Sequence, residues 1–292
     1  MKVLITGGAG PIGSALVPGL TGRGHRVTGI ARSPANAARL RDLGARHVRA
    51  DLFAPESLRS AILSCSPDII IHLATSGDRQ CVEGTANLVE AAAVAGVRRV
   101  IARSAAFAYS PTSATVSESA PLFVDSPRPM RRTVRSYAAL ERTVLADPTI
   151  DGLVLRFGTL YGPRTLFSAH GLATLRVLRR RLPLVGEGRG WFGFVHVDDA
   201  AAAVIASLHE PTGVLNIVDD EPVRTSKWLP SFAAAIGAKS PRHVPARLAG
   251  AAVGTGGSLR YFFDQQPPVS NAAAHDVLEW RPRRRPCNLG VQ

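Results

Sequence analysis

The chain has 292 residues, of which 46% are hydrophobic and 20% are charged, and its formal net charge is +13. These values describe an ordinary globular protein with one large α/β domain, or a main domain and a smaller lobe. No apolar run approaches the length of a membrane span, and the first core strand begins at Met1, so we expect a cytoplasmic protein with no signal peptide and no membrane contact. The three cysteines are scattered at positions 65, 81 and 287, which indicates neither a disulfide framework nor a metal site.

Nearly all of the positive charge comes from arginine, because lysine occurs only at positions 2, 227 and 239. The arginines cluster at 131–132, 179–181 and 283–285. These clusters are either a nucleic-acid patch or solvated helix ends and a basic tail. We favour the second interpretation and expect no nucleic-acid partner, because no stacking aromatic residues are interleaved with the clusters.

The most informative stretch follows the first strand. A β-branched and leucine run leads directly into a glycine turn in which Gly7, Gly10 and Gly13 have the G-x-x-G-x-x-G spacing of dinucleotide-binding domains. Gly7 allows the tight turn, Gly10 lets the backbone approach a pyrophosphate, and Gly13 lets the next helix pack closely on the strand. The N–H groups and dipole at the start of that helix favour phosphate. The turn therefore predicts a dinucleotide site.

Strands and helices alternate along the first two thirds of the chain, which predicts a Rossmann-type α/β fold: a doubly wound parallel sheet with helices on both faces. We expect strands at 1–6, 26–31, 45–50, 68–74, 99–104, 152–157 and 213–218, and a short extended piece at 192–197. We expect helices at 12–20, 35–43, 55–63, 82–95, 133–146, 168–181 and 198–208. Residues 110–129 are rich in Pro, Ser and Thr and predict an irregular loop over the carboxyl end of the sheet.

The alternation loosens beyond about residue 161. We therefore expect a dinucleotide-binding domain over residues 1–160 and a smaller C-terminal substrate-binding lobe over residues 161–292, partly interleaved with the first.

The end of the second strand is expected to reach the adenosine ribose of a bound dinucleotide. NAD-preferring sites carry a carboxylate there, whereas this chain reads Gly-Ile-Ala-Arg-Ser at 29–33. Arg32 can neutralise and grip a 2′-phosphate, so we expect NADP as the cofactor. NAD remains the alternative if Arg32 is only an exposed arginine after a strand.

Motifs along nearly the whole chain share one family pattern. They are Thr-Gly-Gly-Ala-Gly-Pro-Ile-Gly at 6–13, Asp-Leu at 51–52, His-Leu-Ala at 72–74, the helix and strand over 83–100, Leu-Arg-Phe-Gly-Thr-Leu-Tyr-Gly-Pro at 155–163, Phe-Val-His-Val-Asp-Asp-Ala at 194–200, Leu-Asn-Ile-Val-Asp-Asp-Glu-Pro at 215–222, Ser-Asn at 270–271 and Leu-Glu-Trp-Arg-Pro at 278–282. Together they resemble the extended short-chain dehydrogenases/reductases of the NAD-dependent epimerase/dehydratase family. The resemblance implies a small-molecule substrate, allows a homodimer, and places Asp51 and Leu52 beside adenine and Leu73 and Ala74 beside the nicotinamide. The expected cofactor-binding residues are Gly7, Gly10, Pro11, Ile12, Arg32, Asp51, Leu52, Leu73 and Ala74.

The catalytic helix departs from this family pattern. The family uses a Tyr, a Lys four residues later, and a Ser or Thr to orient the substrate. In one register of residues 132–141, Thr133 takes the place of the Tyr and Tyr137 that of the Lys. In the other, Tyr137 is the family Tyr and Glu141 takes the place of the Lys. We prefer the first register because it keeps Ser136 before the Lys position and Glu141 after it, and the Tyr–Lys pair is broken in both.

Three residues are the candidate catalytic groups. Tyr137 is either a proton donor or a side chain that packs over the cofactor ribose. The family serine falls at Ala105, with Ser104 one residue early, and Tyr161 follows the sixth strand at the ligand-binding edge of the sheet. The expected function is an NADP-dependent oxidoreductase, or an epimerase/dehydratase, that acts on a small carbonyl, alcohol or sugar-like substrate with a degenerate Ser-Tyr-Lys site. The alternatives are a non-redox isomerase, cyclase or lyase on the same fold and a non-enzymatic cofactor sensor.

Two histidines lie within the family motifs. We expect His72 and His196 to be buried, hydrogen-bonded structural residues rather than catalytic bases. Asp198 and Asp199 follow His196 closely, and we expect them to cap the helix that begins there.

Overall fold

The computed structural model describes residues 1–75, 77–248 and 260–284. Its strands are β1 (Lys2–Thr6), β2 (Arg26–Ile30), β3 (Arg46–Val48), β4 (Ile69–His72), β5 (Arg99–Ala105), β6 (Asp151–Phe157), β7 (Thr159–Tyr161), β8 (Leu184–Val185), β9 (Trp191–Phe192), β10 (Phe194–His196), β11 (Gly213–Ile217), β12 (Val223–Arg224) and β13 (His243–Val244). Its helices are α1 (Pro11–Thr21), α2 (Pro34–Asp42), α3 (Pro55–Cys65), α4 (Thr85–Val94), α5 (Met130–Ala146), α6 (Leu172–Leu178), α7 (Val197–Ala206), α8 (Thr225–Ala235) and α9 (Ala272–Leu278). Cys287 and Arg285, which the sequence analysis mentions, lie outside the described residues.

Seven strands form the central sheet in the order β11-β6-β5-β4-β1-β2-β3, and every pairing between neighbours is parallel. The strands are apolar on both sides because helices cover both faces. One face packs against α1 and α7 through Leu16 and Val204, and the other packs against α3, α4 and α5 through Leu58, Leu88 and Leu140. The predicted Rossmann-type α/β fold is confirmed.

Most predicted elements are found within a few residues of their expected bounds, but the basic helix expected over 168–181 is wrong. The helix there covers only Leu172–Leu178. It starts after the extended Gly171 and ends before Arg180, whose φ of 53° is left-handed and stops the helix. The extended piece expected at 192–197 is likewise divided at Gly193 into β9, which pairs with β12, and β10, which pairs with β7.

The cap expected at the start of α7 is also wrong. Asp198 and Asp199 lie in the first helical turn, and the residue that caps it is His196, whose Nδ1 accepts a hydrogen bond from the Asp198 N–H at 3.2 Å. A ring nitrogen therefore does what the sequence analysis assigned to a carboxylate, while the two acids lie where the helix dipole favours them.

The second half of the chain returns to the central sheet. Strand β11 pairs with β6, and α7 packs on α1, so part of the expected C-terminal lobe completes the first layer. The remaining described residues include a separate apolar cluster around Phe167, Phe192, Phe194, Trp228 and Phe232. These contacts support interleaving of the two regions, while their division near residue 160 stays a prediction.

The described residues lack two features that would have pointed to other functions. None of their helices is long and apolar enough to cross a membrane. Nor do they contain a group of three or more His, Cys, Asp or Glu side chains arranged to hold a metal ion.

Candidate cofactor and active site

The glycine turn after β1 lies against the end of β4. Gly7 has a φ of 73°, and a Cβ atom there would lie 2.8 Å from the backbone nitrogen of Ala74. The Gly10 N–H closes the turn by donating to the Gly7 carbonyl at 2.9 Å. A Cβ at Gly13 would overlap the backbone of Gly8. Only glycine fits positions 7 and 13 without moving backbone, and the result is a cradle open to a ligand at the start of α1.

A cleft of about 330 Å³ runs from this turn along the carboxyl ends of the strands. Its lining contains the predicted residues Gly7, Gly10, Pro11, Arg32, Asp51, Leu52, Leu73 and Ala74. Ile12 is the exception, because its side chain is 3% exposed and packs in the core. The lining also contains Thr6, Ala9, Ile30, Asn36, Ala50, Phe53, Gln80 and Arg103, which the sequence analysis did not select. The shape and glycine cradle fit a dinucleotide lying across the sheet edge at its topological switch point.

Arginines lie at the β2 end of the cleft and beside the glycine turn. The Arg32 side chain is 60% exposed, and its Nη1 lies 3.9 Å from a carboxylate oxygen of Asp51. Two further arginines flank the turn: Arg39 donates to the Ser14 hydroxyl at 2.9 Å, and Arg164 donates to the Ala9 carbonyl at 3.4 Å. Burial lowers the pKa of Arg39, and the nearby charge of Arg164 lowers it further. This end of the cleft is therefore suited to bind phosphate groups.

The end of β4 is held by a buried histidine. His72 is fully buried between two hydroxyls, with Nδ1 2.7 Å from Thr6 Oγ1 and Nε2 3.0 Å from Thr85 Oγ1. Burial lowers the pKa of His72 to about 4, so the ring is neutral near pH 7. Thr6 Oγ1 also accepts from the Ala74 N–H at 3.3 Å, which fixes the backbone expected beside the nicotinamide. His72 is thus structural, as the sequence analysis expects.

Tyr137 points from α5 towards the end of β4. Its hydroxyl donates to the Thr75 carbonyl at 3.2 Å, and the Cys81 thiol donates to the same oxygen at 3.2 Å. Burial raises the pKa of Tyr137, and the Arg103 charge only partly opposes this effect. Burial likewise raises the pKa of Cys81 to about 12. Both groups therefore stay protonated near neutral pH, so Tyr137 can donate a proton but cannot act as a base.

Ser104 faces a different part of the structure. Its hydroxyl donates to Glu141 at 2.6 Å, and Glu141 forms a buried ion pair with Arg156 at 2.6 Å. Arg156 also donates to the Tyr109 hydroxyl at 2.8 Å. Ser104 is 1% exposed and does not contribute to the described lining of the cleft. Its partner Glu141 lies one helical turn from Tyr137 on α5, and a catalytic role for Ser104 stays a prediction.

Tyr161 lies in the aromatic cluster of the second half of the chain. It is 2% exposed, with its ring centroid 5.0 Å from that of His196 and 6.2 Å from that of Phe194. It is not part of the described lining of the cofactor cleft. Its contacts are those of a wall residue, and a catalytic role for it also stays a prediction.

Arg103 and Gln80 are the cleft residues with charged or polar groups that the sequence analysis missed at the β4–β5 end. Arg103 lies near the end of β5, directly before Ser104, so its position at a strand end was a usable signal. Gln80 begins a π-helical turn, Gln80–Gly84, that precedes α4. Such turns are frequent at functional sites, but no sequence pattern predicts them.

A second, apolar cavity of about 180 Å³ lies in the C-terminal region. Its lining is Thr159, Leu166, Phe167, Leu172, Ala173, Arg176, Leu182, Phe192, Trp228, Phe262 and Phe263. Phe262 is in edge contact with Phe107 at 5.3 Å between centroids, and Phe107 contacts the Tyr137 ring at 5.9 Å. A row of aromatic rings therefore runs from this cavity to Tyr137, which is buried and, like Ser104 and Tyr161, is not part of the described lining of the cofactor cleft.

Comparisons with known proteins agree with this geometry. The chain is 41% identical over 303 aligned positions to a 3-diazoavenalumate denitrifying reductase from Streptomyces sp, and the alignment covers 97% of this chain and 96% of the relative. It is 30% identical over 218 positions to a 2-alkyl-3-oxoalkanoate reductase from Stenotrophomonas maltophilia, covering 70% of this chain and 64% of the relative. Its fold is similar to that of Thermus thermophilus UDP-glucose 4-epimerase in complex with NAD, with a TM-score of 0.74, 26% identity, and coverage of 100% of this chain and 98% of the other.

These proteins are two reductases and an epimerase, and the likeness to the Streptomyces reductase and to the epimerase extends over nearly the whole chain. The model of the NAD-dependent epimerase/dehydratase family matches residues 3–217 of this chain, from β1 to the end of β11. The chain belongs to the NAD-dependent epimerase/dehydratase family.

Proposed function

We propose that this chain is an NADP-dependent reductase that removes a diazo group from an aromatic substrate as dinitrogen and leaves hydrogen in its place. The observation that carries this proposal is the likeness to the Streptomyces denitrifying reductase, which extends over nearly the whole of both chains. The oxoalkanoate reductase, in contrast, is matched over a smaller part of its length.

The chemistry of this reaction suits a site without the Tyr–Lys pair. Dinitrogen leaves an aryl diazonium ion with the electron pair of the ring C–N bond, and a hydride at the same carbon restores the neutral arene. Charge and atoms balance without a proton from the protein. Carbonyl reduction, by comparison, needs a proton on the developing alkoxide, which is the task of a general acid. A diazo reductase without the lysine is therefore expected to keep most of its catalytic rate.

Different residues of the cleft would bind different parts of the cofactor. Gly7, Gly10 and the N-terminus of α1, with the backbone of Pro11 and Ile12, would hold the diphosphate. Arg32 would bind a 2′-phosphate, which favours NADP over NAD because no carboxylate lies at the end of β2. Asp51 and Leu52 would flank adenine, while Leu73 and Ala74 would lie beside the nicotinamide. The reduced cofactor supplies the hydride when it is bound.

The contacts of α5 support the register in which Tyr137 takes the place of the family lysine. Glu141 is buried in its ion pair with Arg156, so it does not face the cofactor cleft, as a residue in the lysine position would. Tyr137 is also outside the described lining, but its hydroxyl reaches the carbonyl of Thr75, the neighbour of the lining residue Ala74. Its proposed task in diazo reduction is to fix that carbonyl and the backbone next to Ala74.

The apolar cavity supports an aromatic substrate. Its walls are mainly aromatic and aliphatic side chains, with Arg176 as the one charged residue among the described lining. Such a pocket favours a flat apolar ring, and it offers few partners to the hydroxyls of a sugar.

A second candidate function is reduction of a carbonyl group with Tyr137 as the proton donor. The position of its hydroxyl at the cleft end favours this function, and so does the resemblance to the oxoalkanoate reductase. Burial, however, raises the pKa of Tyr137, which makes it a weaker acid. The diazo reaction avoids this difficulty.

The test is turnover by purified protein with reduced cofactor and 3-diazoavenalumate, the substrate in the relative's name, against a blank without protein. We expect NADPH consumption, stoichiometric dinitrogen and, with cofactor deuterated at the nicotinamide C4, deuterium on the ring carbon that lost nitrogen. Rates equal to the blank, together with NADPH-dependent reduction of 3-oxo acids, would replace the proposal with the carbonyl reductase. Turnover without a change in cofactor absorbance would indicate a non-redox isomerase or lyase. A silent substrate panel with cofactor-dependent protein binding would indicate a sensor.

A further inference from the structure

Arg103 is a cation at the β4–β5 end of the cleft. Within the described part of the chain it forms no ion pair. It lies in β5, lines the cleft together with Ala74 and Gln80, and is partly buried. Its Nε is buried and has no hydrogen-bond acceptor among the residues that the structure describes. Asp78, whose charge also acts on Tyr137 and Cys81, is already paired with Arg132 at 2.6 Å.

The polar groups next to Arg103 are already engaged. The Tyr137 hydroxyl and the Cys81 thiol both donate to the Thr75 carbonyl. A partly desolvated guanidinium is costly unless an anion satisfies it, and its planar fork matches the oxygens of a carboxylate. The anion that Arg103 lacks is therefore expected from a ligand.

We propose that Arg103 binds an anionic oxygen of the substrate, a carboxylate or a phenolate on the aromatic ring system, and so holds the ring at the nicotinamide end of the cleft. The inference rests on the proposed function for the aromatic nature of that substrate. The cofactor phosphates have their own sites at the glycine turn and Arg32, on the other side of the cleft. Arg103 is thus a specificity residue that selects anionic arenes over neutral ones.

The test uses the complex with NADP⁺, in which no hydride transfer takes place. Three non-reacting probes are titrated by calorimetry: cinnamate, which has only a carboxylate; 4-nitrophenol at a pH where it is ionised, which has only a phenolate; and cinnamamide, which has neither. The variants are Arg103→Gln and Arg103→Lys. Arg46→Gln is the matched control, because it removes the same charge from an exposed site on β3, at the sheet edge away from β5.

We expect wild-type protein to bind at least one anion, and Arg103→Gln to weaken that binding by about tenfold or more. Arg103→Lys restores part of the affinity, since it keeps the charge without the fork. Affinity for cinnamamide and NADP⁺ stays within about twofold in all variants, as does anion binding by Arg46→Gln. The probe that loses affinity identifies the oxygen as carboxylate or phenolate. In turnover with a diazo substrate, the same variant raises KM more than it lowers kcat.

Three results would overturn the inference: equal anion affinity in wild type and Arg103→Gln, no anion binding by wild type, or an equal loss of NADP⁺ affinity, which would assign Arg103 to the cofactor. Anion binding to the NADP⁺ complex requires no turnover, so the outcome is separate from that of the proposed function. If diazo reduction fails while Arg103→Gln loses anion binding, the proposed function falls and the anion site remains.

Discussion

The two halves of the central sheet build their carboxyl edges in different ways. At β1, β2 and β4 the edge is mostly backbone, formed by the Gly7 turn, the start of α1 and the Ala74 amide, and its buried histidine is neutral. At β5, β6 and β11 the edge contains buried ionisable side chains. Arg156 and Glu141 pair at 2.6 Å, while Asp219 is 3% exposed and neither of its carboxyl oxygens has a partner among the described residues.

This difference separates what the fold requires from what the chemistry requires. A backbone cradle works for any dinucleotide and depends on glycines that few substitutions can replace. Side chains at the other edge can change while the sheet stays intact, so that half can acquire new reactions. The proposed departure from the family's Tyr–Lys pattern lies on α5, which packs on β5 and β6 in this half of the sheet.

The largest expected effect concerns Asp219, in the half of the sheet edge formed by β5, β6 and β11. Burial, together with the smaller effects of the nearby Asp199 and Asp220 charges, raises the pKa of Asp219 to about 8. Between about pH 4 and pH 8 the folded state holds a proton that the unfolded state has released, so this carboxyl lowers stability as pH rises. Asp219→Asn removes that dependence. Between pH 4 and pH 8.5 we expect the free energy of unfolding of the variant to rise relative to that of wild type. The rise is up to about 5 kcal/mol, at about 1.36 kcal/mol per pKa unit.

Urea unfolding at several pH values measures this gain. Asp276→Asn is the matched control, because Asp276 is exposed on α9 and its substitution should leave the pH profile unchanged. Parallel pH profiles for wild type and Asp219→Asn would mean that the carboxyl is ionised and paired in solution.

The next effect concerns Gly7, in the half of the sheet edge formed by β1, β2 and β4. Gly7→Ala places a Cβ atom against the backbone of Ala74 and Leu73, so either the turn or the end of β4 must move. We expect cofactor affinity to fall about 100-fold or more, which corresponds to about 3 kcal/mol. Gly24→Ala is the control: Gly24 has a φ of 80° but open space around it, so it should lose about 1 kcal/mol of stability and no affinity. Equal cofactor affinity in Gly7→Ala and wild type would show that the turn is not the diphosphate cradle.

The contrast between the halves explains what the sequence could predict. The glycine turn and strands such as β4 follow from local rules, since spacing and apolar runs determine them directly. Eight of the nine predicted cofactor residues line one cleft for the same reason, because parallel strand ends share an edge. The Ile12 side chain lies outside the lining because it belongs to the helix face that packs on the sheet, and a role for its backbone in cofactor binding stays a prediction.

The other edge could not be predicted in this way. Ser104 bonds to Glu141, 37 residues later, and Arg156 bonds to the same carboxylate, so the role of Ser104 depends on contacts that no local pattern encodes. Arg103 belongs to no motif, so its position at a strand end was the one signal that could have found it. The left-handed Arg180, which follows the end of α6, is likewise not predicted by helix propensity.

At the edge formed by β1, β2 and β4, where backbone provides most of the binding surface, Arg32 is an exception because its side chain would bind the cofactor. It is 60% exposed and its nearest acid, Asp51, is 3.9 Å away, so it is free to turn towards a 2′-phosphate. We expect Arg32→Ala to weaken NADP binding by about tenfold, or about 1.4 kcal/mol, and to leave NAD binding unchanged. Arg41→Ala, on the exposed surface of α2, should change neither affinity. Calorimetry with both cofactors gives the answer, and tighter NAD than NADP binding by wild type would reverse the cofactor assignment.

The smallest expected effect concerns Tyr137, because diazo reduction needs no proton from the protein. Tyr137→Phe removes one hydrogen bond to the Thr75 carbonyl and keeps the ring against Phe107. We expect kcat for diazo reduction to fall by no more than about threefold, which corresponds to a loss of about 0.7 kcal/mol. Any carbonyl reduction by the same protein should fall far more, since it would lose its proton donor. Single-turnover rates on both substrates, with cofactor affinity measured in parallel, separate the two roles. A loss of tens-fold in diazo reduction at unchanged cofactor affinity would make the hydroxyl a chemical participant and place proton transfer back at the centre of this site.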